Sequence, residues 1–322
     1  MAEESEHELI LPPISDGDNI CLPLSVNAVA KYWNVDLPLS EANEIASKYA
    51  GMNGSILIEG INLAERHGLS SLILHSSIKE LKQVIDMGIP PIVILPGLHD
   101  IVQHASVISG YDDTEKTIFH YVPEQKPSEE GIQVGVIPEK RFEKLWSEDG
   151  CLMVLLGPSD IISSLKSDEN KTKSNRFCFE SEKSSLQKQT QETIDLLKKA
   201  IELNPDNSTA LCLLGGVLNE QNNPECESYY EKSLKKNPNC YLAYRGLGNF
   251  YLKAQKFDES EKSYTQAIEI NESRFGPIYK NRGYVRQQQN KMNEAKDDYQ
   301  NYIKFTPKAQ DRGMIERALK EM

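Results

Sequence analysis

The spacing of apolar and polar residues changes character near residue 160. Before that point, short amphipathic stretches come first and apolar, strand-like runs follow them. Helices are predicted over 40–49, 56–67 and 78–87, the last of which Ser77 opens. Strands are predicted over 90–95, 104–112, 116–122 and 151–156, with a hairpin turn at Asp112-Asp113 between the second and the third. Helices followed by an antiparallel sheet predict an α+β domain over residues 1–160.

Beyond residue 160 the pattern falls into two parts. Residues 161–190 are rich in Ser, Lys, Glu and Asn with little periodicity, which predicts a linker, with or without one weak helix. Residues 191–322 contain an internal repeat in which Gly215, Gly248 and Gly283 recur 33 and 35 residues apart. Small residues, tyrosines and prolines recur with the same phase: Ser260 and Ala295, Tyr264 and Tyr299, and Pro205, Pro238 and Pro307.

This repeat resembles the tetratricopeptide repeat over residues 191–307, because three copies agree in phase. Residues 192–205 add the second helix of an earlier, degraded copy, and 308–322 predict a capping helix. Stacked helical hairpins bury a continuous core and leave a concave groove, so the resemblance implies an all-α solenoid that binds a protein or peptide. Some such domains clamp a peptide carboxylate with Lys, Arg and Asn, and the candidate groove residues are Arg245, Asn249, Lys280 and Asn281. The alternative for these four is a solvated polar face.

Charge and cysteine usage narrow the classes of partner and compartment. Residues 1–160 carry 10 Lys+Arg against 25 Asp+Glu, whereas 161–322 carry 26 against 23. Residues 1–160 are acidic enough to repel nucleic acid and anionic membranes. The sequence therefore predicts neither of them as a partner. The acidic start, the lack of a long apolar run and six scattered cysteines predict a cytoplasmic protein with reduced thiols. The pattern predicts no particular oligomeric state.

The stretch DNICLPLSVNAVAKYW, residues 18–33, places one cysteine where an amphipathic helix begins. A thiol attacks as its thiolate, and a helix N-terminus stabilises that anion. His104 opens a predicted strand of the same domain and is the candidate imidazole partner of Cys21. The alternative is an ordinary buried thiol.

The segments of the first domain, in order, resemble the double-glycine (bacteriocin-processing) cysteine peptidases of the papain-like clan. The resemblance rests on Asp18–Pro23, Tyr32-Trp33, GIPPIVIL (88–95), HASVISGYDD (104–113) and FEKLWSEDGCLMVLL (142–156). It implies a papain-like fold in which Cys21 is the nucleophile and His104 the general base.

Three positions depart from that family pattern. Leu22 replaces the glycine after the nucleophile, and Ser15 stands where the oxyanion-hole glutamine is expected. Val122 stands where an acid should orient the imidazole, and His120 and Asp113 are the candidate substitutes. Three functions therefore stay open: a cysteine peptidase whose repeats recruit protein substrates, a catalytically decayed adaptor, and a thiol acyltransferase on the same fold.

No cofactor is predicted. The sequence contains neither a GxxxxGK[ST] phosphate-binding loop nor a GxGxxG fingerprint. His99 and Asp100 lie near His104, but no further metal ligand accompanies them, so a polar loop before a strand is the preferred interpretation.

Overall fold

A computed structural model describes residues 6–12, 21–48, 57–96, 103–122 and 133–322 of the chain. The chain forms two compact units, whose boundary in sequence falls between Asn207 and Ser208. The predicted boundary near residue 160 is therefore wrong, as is the predicted linker over 161–190. Within the described part of the chain, no helix combines the length and the apolar character needed to cross a membrane.

The first unit contains a mainly antiparallel sheet. Its described strands are β1 (Glu6–Glu8), β2 (Ser70–His75), β3 (Ile92–Pro96), β4 (Gln103–Asp112), β5 (Thr117–Val122), β6 (Gln133–Pro138) and β7 (Leu152–Gly157). They lie in the order β2-β7-β3-β4-β5-β6, and β1 pairs with the end of β4. Asp112 of β4 lies opposite Thr117 of β5, so the predicted turn at Asp112–Asp113 joins two antiparallel strands.

Eight described helices accompany this sheet. They are α1 (Cys21–Tyr32), α2 (Leu39–Lys48), α3 (Leu57–Arg66), α4 (Ile78–Asp86), α5 (Glu139–Ser147), α6 (Ser159–Ser164), α7 (Glu169–Leu186) and α8 (Thr190–Leu203). Ser77 caps α4 as its sequence predicts, because its hydroxyl accepts a hydrogen bond from the Glu80 amide at 3.3 Å. Pro23 lies in the first turn of α1, where a helix needs no amide hydrogen, so the proline does not prevent the helix from starting at Cys21.

The central strands are buried on both faces, and alternate residues contribute to two apolar clusters. Val154 and Leu156 of β7 pack with Val29 of α1 and Ile61 of α3 on one face. On the other face, the neighbouring residues Met153 and Leu155 pack with α4 and α5, where Phe142 and Trp146 are fully buried. Continuous apolar runs such as LMVLL are typical of strands covered on both sides.

Helix α7 explains why the predicted linker fails. Only Phe179 among its buried residues is large and apolar, and the others are small or polar: Ser174, Asn175, Cys178, Ser181 and Ser184. An apolar stripe is the signal that identifies an amphipathic helix in sequence, and α7 lacks one. The helix pairs with α8, and the α7–α8 hairpin completes the degraded repeat whose second helix the sequence predicts.

The second unit consists of three helical hairpins and a final helix. Its helices are α9 (Ser208–Glu220), α10 (Cys226–Lys236), α11 (Tyr241–Lys253), α12 (Phe257–Ile270), α13 (Pro277–Gln288), α14 (Met292–Phe305) and α15 (Arg312–Glu321). Within each pair, α9 with α10, α11 with α12 and α13 with α14, the two helices pack against each other. The last helix, α15, lies within the segment 308–322 that is predicted as a capping helix.

Each hairpin contains the same glycine–tyrosine contact. A Cβ atom on Gly215 would lie 2.9 Å from the ring of Tyr230, and one on Gly248 would lie 2.5 Å from the ring of Tyr264. The third pair is Gly283 with Tyr299, at 3.0 Å. Real Cβ atoms seldom or never lie this close to another side chain. The glycines therefore recur at the positions where a tyrosine of the second helix packs against the first helix.

A buried charge network joins the last two hairpins. Arg282 of α13 forms a bidentate contact with Asp298 of α14, at 2.7 Å and 3.0 Å, and Asp298 is 1% exposed. Arg286 links Asp298 to Glu261 of α12 at distances of 3.0 Å and 2.9 Å. Because every buried charge in the network has an opposite partner, the network fixes the register between the hairpins.

Candidate functional site

The first candidate site is the region where α1 begins beside β4. Cys21 is the first residue of α1, and His104 is the second residue of β4. One helical turn after Cys21, the hydroxyl of Ser25 donates a hydrogen bond to the carbonyl of Ala105 at 3.3 Å. The backbone therefore brings the first turns of α1 next to the strand end that carries His104.

Several predicted members of this site fall outside the described residues. Ser15, the predicted oxyanion-hole position, lies in the segment 13–20 that is not described. The backbone of Cys21, Leu22, His104 and Val122 is placed in α1, β4 and β5, but their side chains are not described. The catalytic roles of Cys21, His104 and Ser15 stay predictions.

His120 lies on the opposite face of the sheet from α1. Its neighbour Tyr121 packs with the α1 side of the core, whereas His120 is paired in register with Ile108, which packs on the α4 side. The His120 Nδ1 atom lies 3.3 Å from the hydroxyl of Ser106. A Cβ atom on Gly135 would lie 2.2 Å from His120 Nε2, so the ring covers this glycine. The structure does not bring His120 to the start of α1.

Asp113 lies at the other end of β4 from His104. A strand rises about 3.3 Å per residue, so the nine positions between them correspond to roughly 30 Å. The Asp113 carboxylate accepts a hydrogen bond from Lys82 Nζ at 2.7 Å. This contact, followed by one from Lys116, lowers the pKa of Asp113. Asp113 is therefore a partner of Lys82 and cannot orient an imidazole at position 104.

A polar cluster that the sequence does not predict lies where α7 meets β2. The amide of Asn207 donates to Ser174 Oγ and to Asn175 Oδ1, both at 2.9 Å, and it lies 3.7 Å from the Cys178 sulfur. Nearby, His75 Nδ1 lies 2.7 Å from the carbonyl oxygen of Gly150. Because α7 has no apolar stripe, no periodicity signal could have revealed this cluster.

The thiols whose side chains are described are poor nucleophiles. Cys178, Cys212, Cys226 and Cys240 are buried, Cys151 is half-buried, and none of these five forms a disulfide. Burial raises the pKa of Cys151 to about 11 and also raises the pKa values of Cys178 and Cys226. Among the described residues, no group of three or more His, Cys, Asp or Glu side chains could hold a metal ion.

The second candidate site is the first-helix face, defined as Arg245 and Asn249 of α11 with Lys280 and Asn281 of α13. The structure brings the two asparagines together, because Asn281 Nδ2 donates to Asn249 Oδ1 at 3.4 Å. The same oxygen accepts a hydrogen bond from the Tyr264 hydroxyl at 2.7 Å. Arg245 lies one helical turn before Asn249 on the same side of α11. Arg245, Asn249 and Asn281 therefore lie together on consecutive first helices, and Lys280 precedes Asn281 on α13.

Both cations of the first-helix face already have partners within the chain. The Arg245 guanidinium lies over the ring of Phe275, 4.7 Å from its centroid. Lys280 Nζ lies 2.7 Å from an Asp311 carboxylate oxygen and over the ring of Tyr302. The sequence could have suggested Phe275, since the two extra residues between Gly248 and Gly283 indicate a longer connection before α13. The repeat pattern of the sequence contains nothing that identifies Asp311 as the partner of Lys280.

These features define the second unit as a helical-repeat solenoid, and a comparison with known families names the repeat. Residues 243–274 match the family model of the tetratricopeptide repeat. Hsp70-Hsp90 organizing protein 3 of Arabidopsis thaliana is 30% identical over 96 residues, which cover 30% of this chain. Those residues cover 17% of the plant protein, so the match spans a small part of its length.

Solved structures show a similar helical arrangement at low identity. The Pseudomonas aeruginosa protein pilF is 16% identical with a TM-score of 0.44, covering 48% of this chain and 70% of its own. YrrB, described as a TPR protein with an unusual peptide-binding site, is 17% identical with a TM-score of 0.39. That match covers 46% of this chain and 75% of YrrB. The family match over residues 243–274 and the recurring helical hairpins make the C-terminal part of the chain a tetratricopeptide-repeat-like region, preceded by an α+β region with an antiparallel sheet.

Proposed function

We propose that the chain is an adaptor that binds a protein partner through its tetratricopeptide repeats. The observation that carries the proposal is the first-helix face, where polar side chains from two consecutive repeats lie together without being fully buried. Repeat solenoids use this face of their stacked hairpins as an extended binding surface. Tyr284 extends the face, since it is 47% exposed and follows Lys280 by one turn of α13.

The test compares the partners captured by full-length variants. Tyr284→Ser removes an exposed ring without disturbing the core, and Arg245→Ala with Asn249→Ala removes two polar contacts of the first-helix face. Lys262→Ala, on the exposed side of α12, removes one positive charge away from that face and serves as the control. We expect quantitative mass spectrometry to show the same partner lost by at least fivefold with both face variants and retained with the control. Loss with all three variants, or with none, would contradict the proposal.

The plant relative supplies the first purified candidates for this test. Its name describes it as an organizer of Hsp70 and Hsp90, so these two chaperones are suitable probes for direct titration. Binding of either chaperone that is weakened by Tyr284→Ser and unaffected by Lys262→Ala would identify the partner class.

A papain-like cysteine peptidase is the second candidate function. One placement favours it: α1 starts at Cys21, and the hydrogen bond from Ser25 to Ala105 holds this helix beside the start of β4. A thiolate at the beginning of a helix, with an imidazole on the adjacent strand, is the arrangement that activates a cysteine nucleophile. In this reading, Cys21 attacks a peptide carbonyl, His104 transfers the proton, and the repeats recruit the substrate.

Alkylation with iodoacetamide at neutral pH tests this second candidate. The other five cysteines are buried or half-buried, which leaves little competing reaction. If Cys21 pairs with His104, Cys21 should react at least tenfold faster than the others, and His104→Ala should slow it. His67→Ala is the matched control, because His67 lies at the end of α3, where it contacts Glu41, and it should leave the rate unchanged. If Cys21 is alkylated at the same rate in His104→Ala as in the wild type, the peptidase function would be excluded.

A further inference from the structure

The contacts of Lys280 distinguish this chain from a groove built to clamp a carboxylate. Lys280 belongs to α13, and its nearest charged partner is Asp311, which lies 31 residues further along the chain and directly precedes α15. The Lys280 side chain is 37% exposed and that of Asp311 is 27% exposed. The ion pair is therefore half-buried, and its net charge is zero.

Both carboxylate oxygens of Asp311 are in use. Oδ2 accepts from Lys280 Nζ at 2.7 Å, and Oδ1 accepts from the Tyr302 hydroxyl at 2.5 Å. The ring of Tyr302 also lies under the ammonium group, 5.1 Å from Lys280 Nζ to the centroid. The hydrogen bonds from Lys280 and Tyr302 lower the pKa of Asp311, so the carboxylate stays ionised at neutral pH. To bind Lys280, a peptide carboxylate would have to displace the Asp311 carboxylate, which Lys280 and Tyr302 hold in place.

We propose that Asp311 acts as an internal competitor at Lys280, so that the repeats bind internal peptide segments in preference to a terminal carboxylate. The inference rests on the proposed binding of a partner by the repeats and specifies which chemistry that partner presents. Beside the neutralised Lys280, the first-helix face offers the amides of Asn249 and Asn281. Neutral amides match the hydrogen-bonding groups of a peptide backbone, which every internal segment carries.

The charge of the first-helix face supports the same partner chemistry. Arg245 is its second cation, and Arg245 lies against the Phe275 ring. The ring covers one flat face of the guanidinium and leaves its in-plane N–H donors in place. Because Lys280 is already paired with Asp311, the face does not present two cations together to a terminal carboxylate, as a clamp requires.

The experiment uses the full chain and an array of twelve-residue peptides, each made with a free C-terminal carboxylate and as its C-terminal amide. Asp311→Asn keeps an acceptor for Tyr302 and removes the competing charge. Asp297→Asn, at an exposed position on α14, removes the same charge elsewhere and is the control. We expect the wild type and the control to bind both forms of each peptide equally. Asp311→Asn should bind the carboxylate form about three- to tenfold more tightly than the amide.

A ligand-independent measurement accompanies the array. Lys280 should be acetylated by sulfosuccinimidyl acetate at least threefold faster in Asp311→Asn than in Asp297→Asn, with Lys262 as the internal reference. An unchanged Lys280 rate would overturn the inference, as would a wild type that prefers the carboxylate form. If Asp311→Asn binds peptides but binds their carboxylate and amide forms equally, the inference would be overturned and the proposed peptide binding would stand. Binding of no peptide by any variant would overturn the proposed peptide binding together with it.

Discussion

At the scale of single residues, burial acts in opposite directions on His75 and Glu182 in the first unit. Burial lowers the pKa of His75, and the hydrogen bond with the Gly150 carbonyl offsets this only in part. Burial, followed by the nearby charge of Asp149, raises the pKa of Glu182 to about 7. Both groups are therefore held closer to their neutral forms in the folded protein than in the unfolded chain.

The two shifts predict opposing pH dependences. Below about pH 6.5, His75 binds a proton more readily in the unfolded chain than in the folded protein. The free energy of unfolding therefore decreases by up to about 1.4 kcal/mol per pH unit as the pH falls. Glu182 binds its proton in the folded state from about pH 7 downwards, before the unfolded chain does, so it adds stability as pH falls towards 4.5. In the wild type the two effects therefore oppose each other below about pH 6.5.

Variants separate the two effects. Between pH 7.5 and 5.5, the urea midpoint of His75→Gln should rise relative to wild type, whereas that of Glu182→Gln should fall. Parallel pH profiles for all three proteins would contradict the assignment of these shifts.

Residue-level signals in the sequence succeed where one local interaction determines the residue type. Ser77 caps its helix as predicted, and the recurring glycines are confirmed because each lies under a tyrosine. The two candidates for orienting the imidazole depend instead on strand geometry. Strand length places Asp113 at the other end of β4 from His104, whereas His120 lies beside Ser106, two positions after His104, and its role stays a prediction.

At the scale of elements, α7 determines where the first unit ends. The Asn175 amide donates to the Ile73 carbonyl at 2.9 Å, and Arg176 contacts both carboxylate oxygens of Glu65 at 2.8 Å. Lys183 pairs with Glu59, whose side chain is 7% exposed, and Phe179 is buried in the apolar core beside α1 and α3. Helix α7 is thus part of the α+β unit, although its sequence is polar enough to resemble a linker.

Truncation tests this assignment. Residues 1–207 should unfold cooperatively, whereas residues 1–165 should be less stable by several kcal/mol, since Glu59 loses its buried partner and the Phe179 site opens to water. Within 1–207, Phe179→Ala should cost about 3–5 kcal/mol, and the exposed Lys173→Ala should cost less than about 1 kcal/mol. Urea unfolding measures each difference. A fragment 1–165 as stable as 1–207 would restore the linker interpretation.

At the scale of the whole molecule, the sequence predicts the classes of both units better than their boundary. The repeats are recognisable because the same contact recurs three times, and β3 and β7 because they are apolar throughout. The observed boundary lies at residue 207, whereas the predicted one lies near residue 160. The difference arises because α7, whose buried side is largely polar, belongs to the first unit. The chemistry at Cys21 depends on side-chain positions that sequence motifs alone do not determine.

The central claim is that partner binding belongs to the repeat unit and does not require Cys21. The direct measurement is the affinity of the captured partner for four proteins: the full chain, residues 208–322 alone, full-length Cys21→Ala and full-length Tyr284→Ser. The account predicts equal Kd values, within about twofold, for the first three proteins and a Kd at least fivefold weaker for Tyr284→Ser. No binding by residues 208–322, or loss of binding in Cys21→Ala, would contradict the account.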